Sequence, residues 1–148
     1  MTRYLLDTNI VSEATRLRPT AAVVDWLGRQ SDMDLFISTL TLAEIRRGIL
    51  EKPPGTKRRE LESWFAGSEG PQRLFAGRIL PFDEPAALAW ARLMAEGTAA
   101  ARPRSALDMV IAATAQVHNC VVATMNERPF AGLVDFFNPV RGHPDSAR

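Results

Sequence analysis

Three acidic residues far apart in the chain, Asp7, Glu44 and Asp108, each open or close an apolar segment. Asp7 ends the short apolar run of residues 3–6 and is followed by Thr8 and Asn9. Alone it reads equally as an Asx-turn, in which the side chain bonds backbone two residues on. Glu44 follows Thr41 by three, the spacing of a capping box whose acid reaches back to the N-cap amide. Asp108 follows Ser105 by three, so a cap explains it too. The run behind it, Met109-Val110-Ile111-Ala112-Ala113-Thr114-Ala115, is almost wholly apolar. A helix apolar all round is buried, and a lone carboxylate at its mouth is costly unless a cation neutralises it.

Gathered at one place, three such acids would repel and raise one another's pKa unless something positive sat between them. Oxygen donors without a Cys/His cluster select Mg²⁺, with Mn²⁺ as a substitute, over zinc. Magnesium keeps several waters, and a water acidified by a metal can attack a phosphodiester. The chemistry expected of the set is therefore metal-assisted phosphodiester hydrolysis. Thr8 and Asn9 adjoin Asp7 and can hydrogen-bond carboxylates or ordered water. Arg46 and Arg47 lie shortly after Glu44, and Arg102 and Arg104 precede Asp108. They could line a phosphate path; solvated surface arginines are the plain alternative.

The elements that must position these residues follow from pattern. Strands are expected at 3–6, 34–38, 79–82, 120–124 and 133–137. Helices are expected at 20–29, 41–50, 56–66, 84–101 and 105–118. Lys52-Pro53-Pro54-Gly55 stops the second of these helices, and Asp83 caps the fourth. Strands alternating with helices imply an α/β, doubly wound parallel sheet with helices on both faces. Ligands in such sheets gather at the carboxyl ends of the strands, where strand order switches. Asp7 and Glu44 both fall at that edge.

The chain has 148 residues, 46% hydrophobic and 24% charged, which fits one domain at 1–140 with a frayed tail at 141–148. No apolar run approaches the roughly 20 residues that span a bilayer. The apolar stretch near the N-terminus is too short for a secretory signal, so a cytoplasmic protein without membrane contact is expected. The single cysteine, Cys120, excludes a disulfide framework and a cysteine-rich zinc site. A net charge of +1 excludes a global basic field.

Several segments together resemble the PIN-domain ribonuclease toxins of the VapC type, and their FitB-like branch in particular. They are Leu5-Leu6-Asp7-Thr8-Asn9; Thr41-Leu42-Ala43-Glu44-Ile45 with Gly48; Leu107-Asp108 through Ala115; Ala123-Thr124 with Asn126; and Asn138-Pro139. The resemblance spans residues 3–139. It implies a PIN-like sheet of four or five parallel strands and a magnesium-dependent endoribonuclease acting on RNA. It also implies homodimers and a small antitoxin that occludes the site and carries the pair to operator DNA. Many members hold a fourth acid after the penultimate strand. Here Asn126 fits the variable position, Pro129 stands where an acid is common, and Glu127 lies between them, which implies one well-held ion.

Other polar residues read as plain structure. His118 ends its helix, where a cation is favoured. With Cys120 it makes a poor metal pair. Asp83-Glu84-Pro85 reads as a helix start, and Asp135 as part of the last strand. Trp26, Trp64 and Trp90 lie on apolar stripes. Two rival functions remain. A phosphotransfer enzyme would want an acid where Asn9 stands and a lysine after a later strand, and none follows Lys57. A non-catalytic PIN-like module serving a DNA-binding partner protein would use the three acids only as caps.

Overall fold

The computed structural model describes residues 1–142. Five strands run parallel: β1 (Tyr4–Leu6), β2 (Leu35–Ser38), β3 (Ile79–Leu80), β4 (Val121–Ala123) and β5 (Phe136–Phe137). Their order is β3-β2-β1-β4-β5. Seven α-helices fill the connections: α1 (Thr8–Ala14), α2 (Ala21–Arg29), α3 (Thr39–Leu50), α4 (Thr56–Ala66), α5 (Pro71–Leu74), α6 (Glu84–Ala99) and α7 (Ala106–His118). None of the described helices is long and apolar enough to cross a membrane.

The strands alternate sides residue by residue, as the two-residue strand period requires. Leu5, Phe36, Leu80 and Val122 face one core with Ala89 and Leu93 of α6 and Met109, Ile111 and Ala112 of α7. Leu6, Leu35, Ile37 and Ala123 face a second core with Ile10 and Val11 of α1 and Val23 and Trp26 of α2. Both faces are thus covered, which is why the strands read as continuous apolar runs. The chain winds from β1 outward to β2 and β3, then crosses to β4 on the other side of β1. The switch point lies between β1 and β4.

Local expectations are corrected at four places. Asp7-Thr8-Asn9 is no turn: α1 starts at Thr8, and Asp7 is its N-cap. The capping box expected from Thr41 to Glu44 does not form. Ser38 caps α3 and accepts from the Thr41 N–H, so the helix begins at Thr39 and Glu44 sits in its second turn. The last strand shrinks to Phe136–Phe137, because residues 127–134 coil through turns such as Phe130 N–H to Glu127 O at 3.0 Å. Asp135 therefore precedes the strand, its carbonyl accepting the Val122 N–H at 2.9 Å. At the start of the expected tail, Gly142 N–H bonds Asn138 O at 2.7 Å and Arg141 pairs with Glu127; residues 143–148 lie outside the described part.

Candidate active site

β1 delivers Asp7 directly to the switch point, where its N–H makes a last bond to Ala123 O at 2.9 Å. The side chain is buried, 9% exposed. Such a group needs partners for both oxygens. Oδ1 accepts the Thr8 N–H at 2.8 Å. Oδ2 accepts the Thr124 hydroxyl at 2.9 Å and Asn9 Nδ2 at 3.3 Å. Thr124 also has Asn126 O within 3.2 Å, but it owns one proton, and the shorter, charge-assisted bond to the carboxylate takes it. The Met125 N–H donates to Asn9 Oδ1 at 3.1 Å, which turns the Asn9 amide nitrogen toward Asp7. Asp7 is thereby stitched to the end of β4.

Burial pushes the Asp7 pKa above its ordinary value. The hydrogen bonds from Thr124 and Thr8 pull the other way, and the negative charges of Asp108 and Glu44 push up further. The charges of Asp108 and Glu44 thus both reach Asp7 across the switch point. Among the described residues, every ion pair lies elsewhere. No Lys, Arg or His among the described residues neutralises this corner.

Glu44 reaches the corner from α3. The Thr8 hydroxyl donates to its Oε1 at 2.7 Å, and the Thr8 and Thr41 hydroxyl oxygens lie 3.0 Å apart. Asp108 stands in the first turn of α7, half-buried, its N–H bonded to the N-cap Ser105 Oγ at 3.2 Å. The cap by Ser105 is as the spacing predicts. α7 is held there by its buried face, by Trp90 Nε1 donating to Ala106 O at 2.9 Å, and by the tight α6–α7 turn. Gly97 permits that turn: a Cβ there would stand 2.9 Å from Arg102 O and from Arg104 Cγ.

The donor set suits a hard dication, since it offers carboxylates, hydroxyls and an amide with no thiolate or imidazole. It is not a closed cage. Among the described residues, no three His, Cys, Asp or Glu side chains are gathered closely enough to grip an ion together. That openness fits magnesium, which keeps much of its water and uses few direct carboxylates.

The remaining candidates separate. Asn126 lies at the same edge, exposed, its backbone N–H donating to Thr124 Oγ1 at 2.9 Å. Glu127 is tied to Asn138 Nδ2 at 3.2 Å and Arg141 Nη1 at 2.6 Å. Arg46 lies over the Phe65 ring and near Glu62. Arg47 pairs with Glu51. Arg104 turns inward to Leu93 O at 2.6 Å and Glu96 at 3.5 Å. Arg102 is exposed, and no described group pairs with its guanidinium. Ser38, Thr41 and Thr124 hydrogen-bond at this corner, a placing that the pattern of the sequence did not show. Thr41 and Thr124 stood in the segments that carry the resemblance, and Ser38 at the end of an expected strand.

Cavity size would have pointed elsewhere. A broad hollow of about 870 Å³ is lined by Tyr4, Asn119, Val121 and Phe137, around the opposite ends of β1 and β4. Asp135 is the one carboxylate in its lining, so the chemistry favours the corner where three acids lie.

Comparison with known proteins agrees with this geometry. The PIN domain model matches residues 4–133. VapC ribonuclease Y4jK of Sinorhizobium fredii is 39% identical over 137 residues, covering 91% of this chain and 96% of that protein. Toxin FitB of Neisseria gonorrhoeae is 41% identical over 136 residues, with the same two coverages of 91% and 96%. The solved structure of FitAB bound to an IR36 DNA fragment superposes with a TM-score of 0.85 at 39% identity, covering 92% of this chain and 94% of that one. A PIN domain model matched over residues 4–133, with relatives about two-fifths identical along nearly their whole length, places the chain in the PIN-domain family, among the members named for VapC and FitB.

Proposed function

We propose that this chain is the toxin of a type II toxin–antitoxin pair, a magnesium-dependent endoribonuclease that hydrolyses RNA phosphodiester bonds. The observation that carries the reading is Asp7. It is a buried carboxyl group whose pKa is pushed upward by burial and by the charges of two other acids, in a corner where no cationic side chain among the described residues compensates it. The naming of one relative as a ribonuclease and another as a toxin supports it.

Asp7, Glu44 and Asp108 would hold the ion partly through its own waters, and Mn²⁺ would substitute for Mg²⁺. Bound there, the ion would supply electrostatic stabilisation of the phosphoryl oxygens and a more acidic water. The rest of the work belongs to the chain. Thr8, Asn9 and Thr124 fix both oxygens of Asp7. Thr8 fixes one oxygen of Glu44, leaving Oε2 as the one turned to other use. Asp108 sits at the positive end of α7, which favours its charge. Asn126 offers a neutral oxygen at the rim, and Arg102 a guanidinium, unpaired among the described residues, for a phosphate of the strand.

The proposed partners are an RNA strand, a second copy of the chain and a small antitoxin that covers the site. Operator DNA is met only through the antitoxin, and the setting is the cytoplasm. The DNA-bound FitAB assembly supports the antitoxin and DNA parts of this reading.

The test is cleavage of single-stranded and structured RNA by the purified chain with MgCl₂ or MnCl₂. EDTA should stop it, and Asp108→Asn should abolish it. Cleavage that persists in Asp108→Asn would remove the reading. The open spacing of the three acids favours one rival, a non-catalytic module in which Asp7 serves only as the cap of α1 and the other two acids are plain polar surface. Such a module would bind its partner unchanged after Asp7→Asn and Asp108→Asn and would show no metal-dependent cleavage.

A further inference from the structure

We infer that Ser38 and Thr41 are positioning residues, forming with Thr8 a one-way chain of hydroxyl donors that aims Glu44 at the ion; this rests on the metal-site reading above. The chain follows from proton counting. Each hydroxyl owns one proton and can accept besides. The Thr8 proton goes to Glu44 Oε1 at 2.7 Å. Thr8 therefore cannot donate to Thr41, so the 3.0 Å contact between them must be donated by Thr41. Thr41, its proton spent, accepts from Ser38 Oγ at 3.2 Å. Ser38 Oγ is itself an acceptor for the Thr41 N–H at 3.0 Å, the cap of α3.

Every donor in the sequence Ser38, Thr41, Thr8 thus points toward the acid. Ser38 and Thr41 are buried, 1% and 0% exposed, so no water can replace a missing link without opening the core. The chain spans the ends of β2 and α1 and the body of α3, so it sets the distance between the element carrying Asp7 and the element carrying Glu44. With Oε1 held in this way, rotation of the carboxylate is restrained and Oε2 is the oxygen that would meet the ion. Groups that orient metal ligands in this fashion are typically worth 10- to 100-fold in metal affinity or activity.

Neither Thr41 nor Ser38 touches the ion or the substrate in this account, so their role must show in more than lost activity. The experiment compares Thr41→Val, which keeps the shape and deletes the hydroxyl, with Thr41→Ser, which keeps the hydroxyl and deletes a methyl. The readouts are MnCl₂ affinity of the RNA-free protein by calorimetry, thermal unfolding, and RNA cleavage at saturating Mn²⁺. Thr41→Val should bind Mn²⁺ about 10-fold more weakly or worse. Thr41→Ser should hold affinity near that of the unaltered protein even where its unfolding temperature drops. Affinity that follows unfolding temperature rather than the hydroxyl, or a Thr41→Val variant with unchanged affinity, would overturn the inference while leaving the nuclease reading intact. Unaltered protein that binds Mn²⁺ but cuts no RNA, with the Val and Ser variants diverging as stated, would uphold the chain and sink the ribonuclease reading. Unaltered protein that binds no Mn²⁺ would overturn both.

Discussion

Thr124 donates its hydroxyl proton to Asp7 Oδ2 at 2.9 Å, joining two residues 117 apart in sequence across the switch point of the sheet. Both are buried, so the bond has no solvent substitute. Thr124→Val should cost about 1–3 kcal/mol, the usual penalty for leaving a buried acceptor short of a donor. Urea unfolding measures it. The same change removes a group that favours the charged form of Asp7, so metal binding at neutral pH should weaken as well. A variant with unaltered stability and unaltered Mn²⁺ affinity would show that Asp7 does not depend on this bond.

The pH dependence of stability has a sign that can be worked out. In the metal-free fold the Asp7 pKa lies above its ordinary value of 3.8. The folded state then holds its proton more tightly than the unfolded chain does. The stability contributed by this group is present below 3.8 and is lost as pH rises through the folded value. Glu13 has the opposite sign. Hydrogen bonds from the Thr20 hydroxyl, then from Arg16, draw its pKa below 4.5, so its contribution is present above 4.5 and is lost as pH falls through the folded value. Subtracting a variant separates the two. The stability of Asp7→Asn relative to the unaltered protein should move in the variant's favour as pH rises through the Asp7 titration, then level off. Equilibrium unfolding in EDTA at a series of pH values checks this. A flat difference would mean that Asp7 titrates normally.

Much of this arrangement was legible before the structure. α4 (Thr56–Ala66) has the expected bounds, because Pro53-Pro54-Gly55 allows only one starting point. The three acids were legible because charges behind apolar runs are conspicuous. The helix starts were less so. Ser38 and Thr41 are both cap-competent and three residues apart, and the choice between them depends on where β2 ends, which is set by pairing with β1 and β3. Thr8 was legible from its place beside Asp7, but the hydroxyls farther off were not. Thr41 and Thr124 act only through partners brought close by the sheet, and a threonine in an apolar segment looks like any β-branched core residue. The short β5 was overextended because Leu133 and Val134 are apolar, although they pack on the core from a turn.

Metal binding should stabilise the fold by mass action. At a Mg²⁺ concentration 100-fold above its dissociation constant, the gain is about 2.7 kcal/mol for one site. An unfolding temperature that climbs with added MgCl₂ and falls back with EDTA is the expected result. Asp108→Asn should flatten that climb, since it removes one carboxylate without disturbing the Ser105 cap, which uses the Asp108 backbone N–H. An equal climb in the variant would place the ion away from Asp108.

The two arginines ahead of α7 should behave differently despite their shared sequence context. Arg104 is 20% exposed and spends its guanidinium on Leu93 O and Glu96 inside the α6–α7 turn. Arg104→Ala should therefore destabilise the fold by about 1–3 kcal/mol through the abandoned carbonyl. Arg102 is exposed and unpaired among the described residues. Arg102→Ala should leave unfolding almost unchanged and weaken RNA binding. It should also lower the slope of log affinity against log salt by about 0.7, the share of one phosphate contact on a single strand. Binding to a labelled RNA at several salt concentrations, with Asp108→Asn as the non-cleaving background, makes the measurement. An unchanged slope would take Arg102 off the path of the RNA. A lowered slope for Arg104→Ala at unchanged stability would reverse the assignment of the two residues.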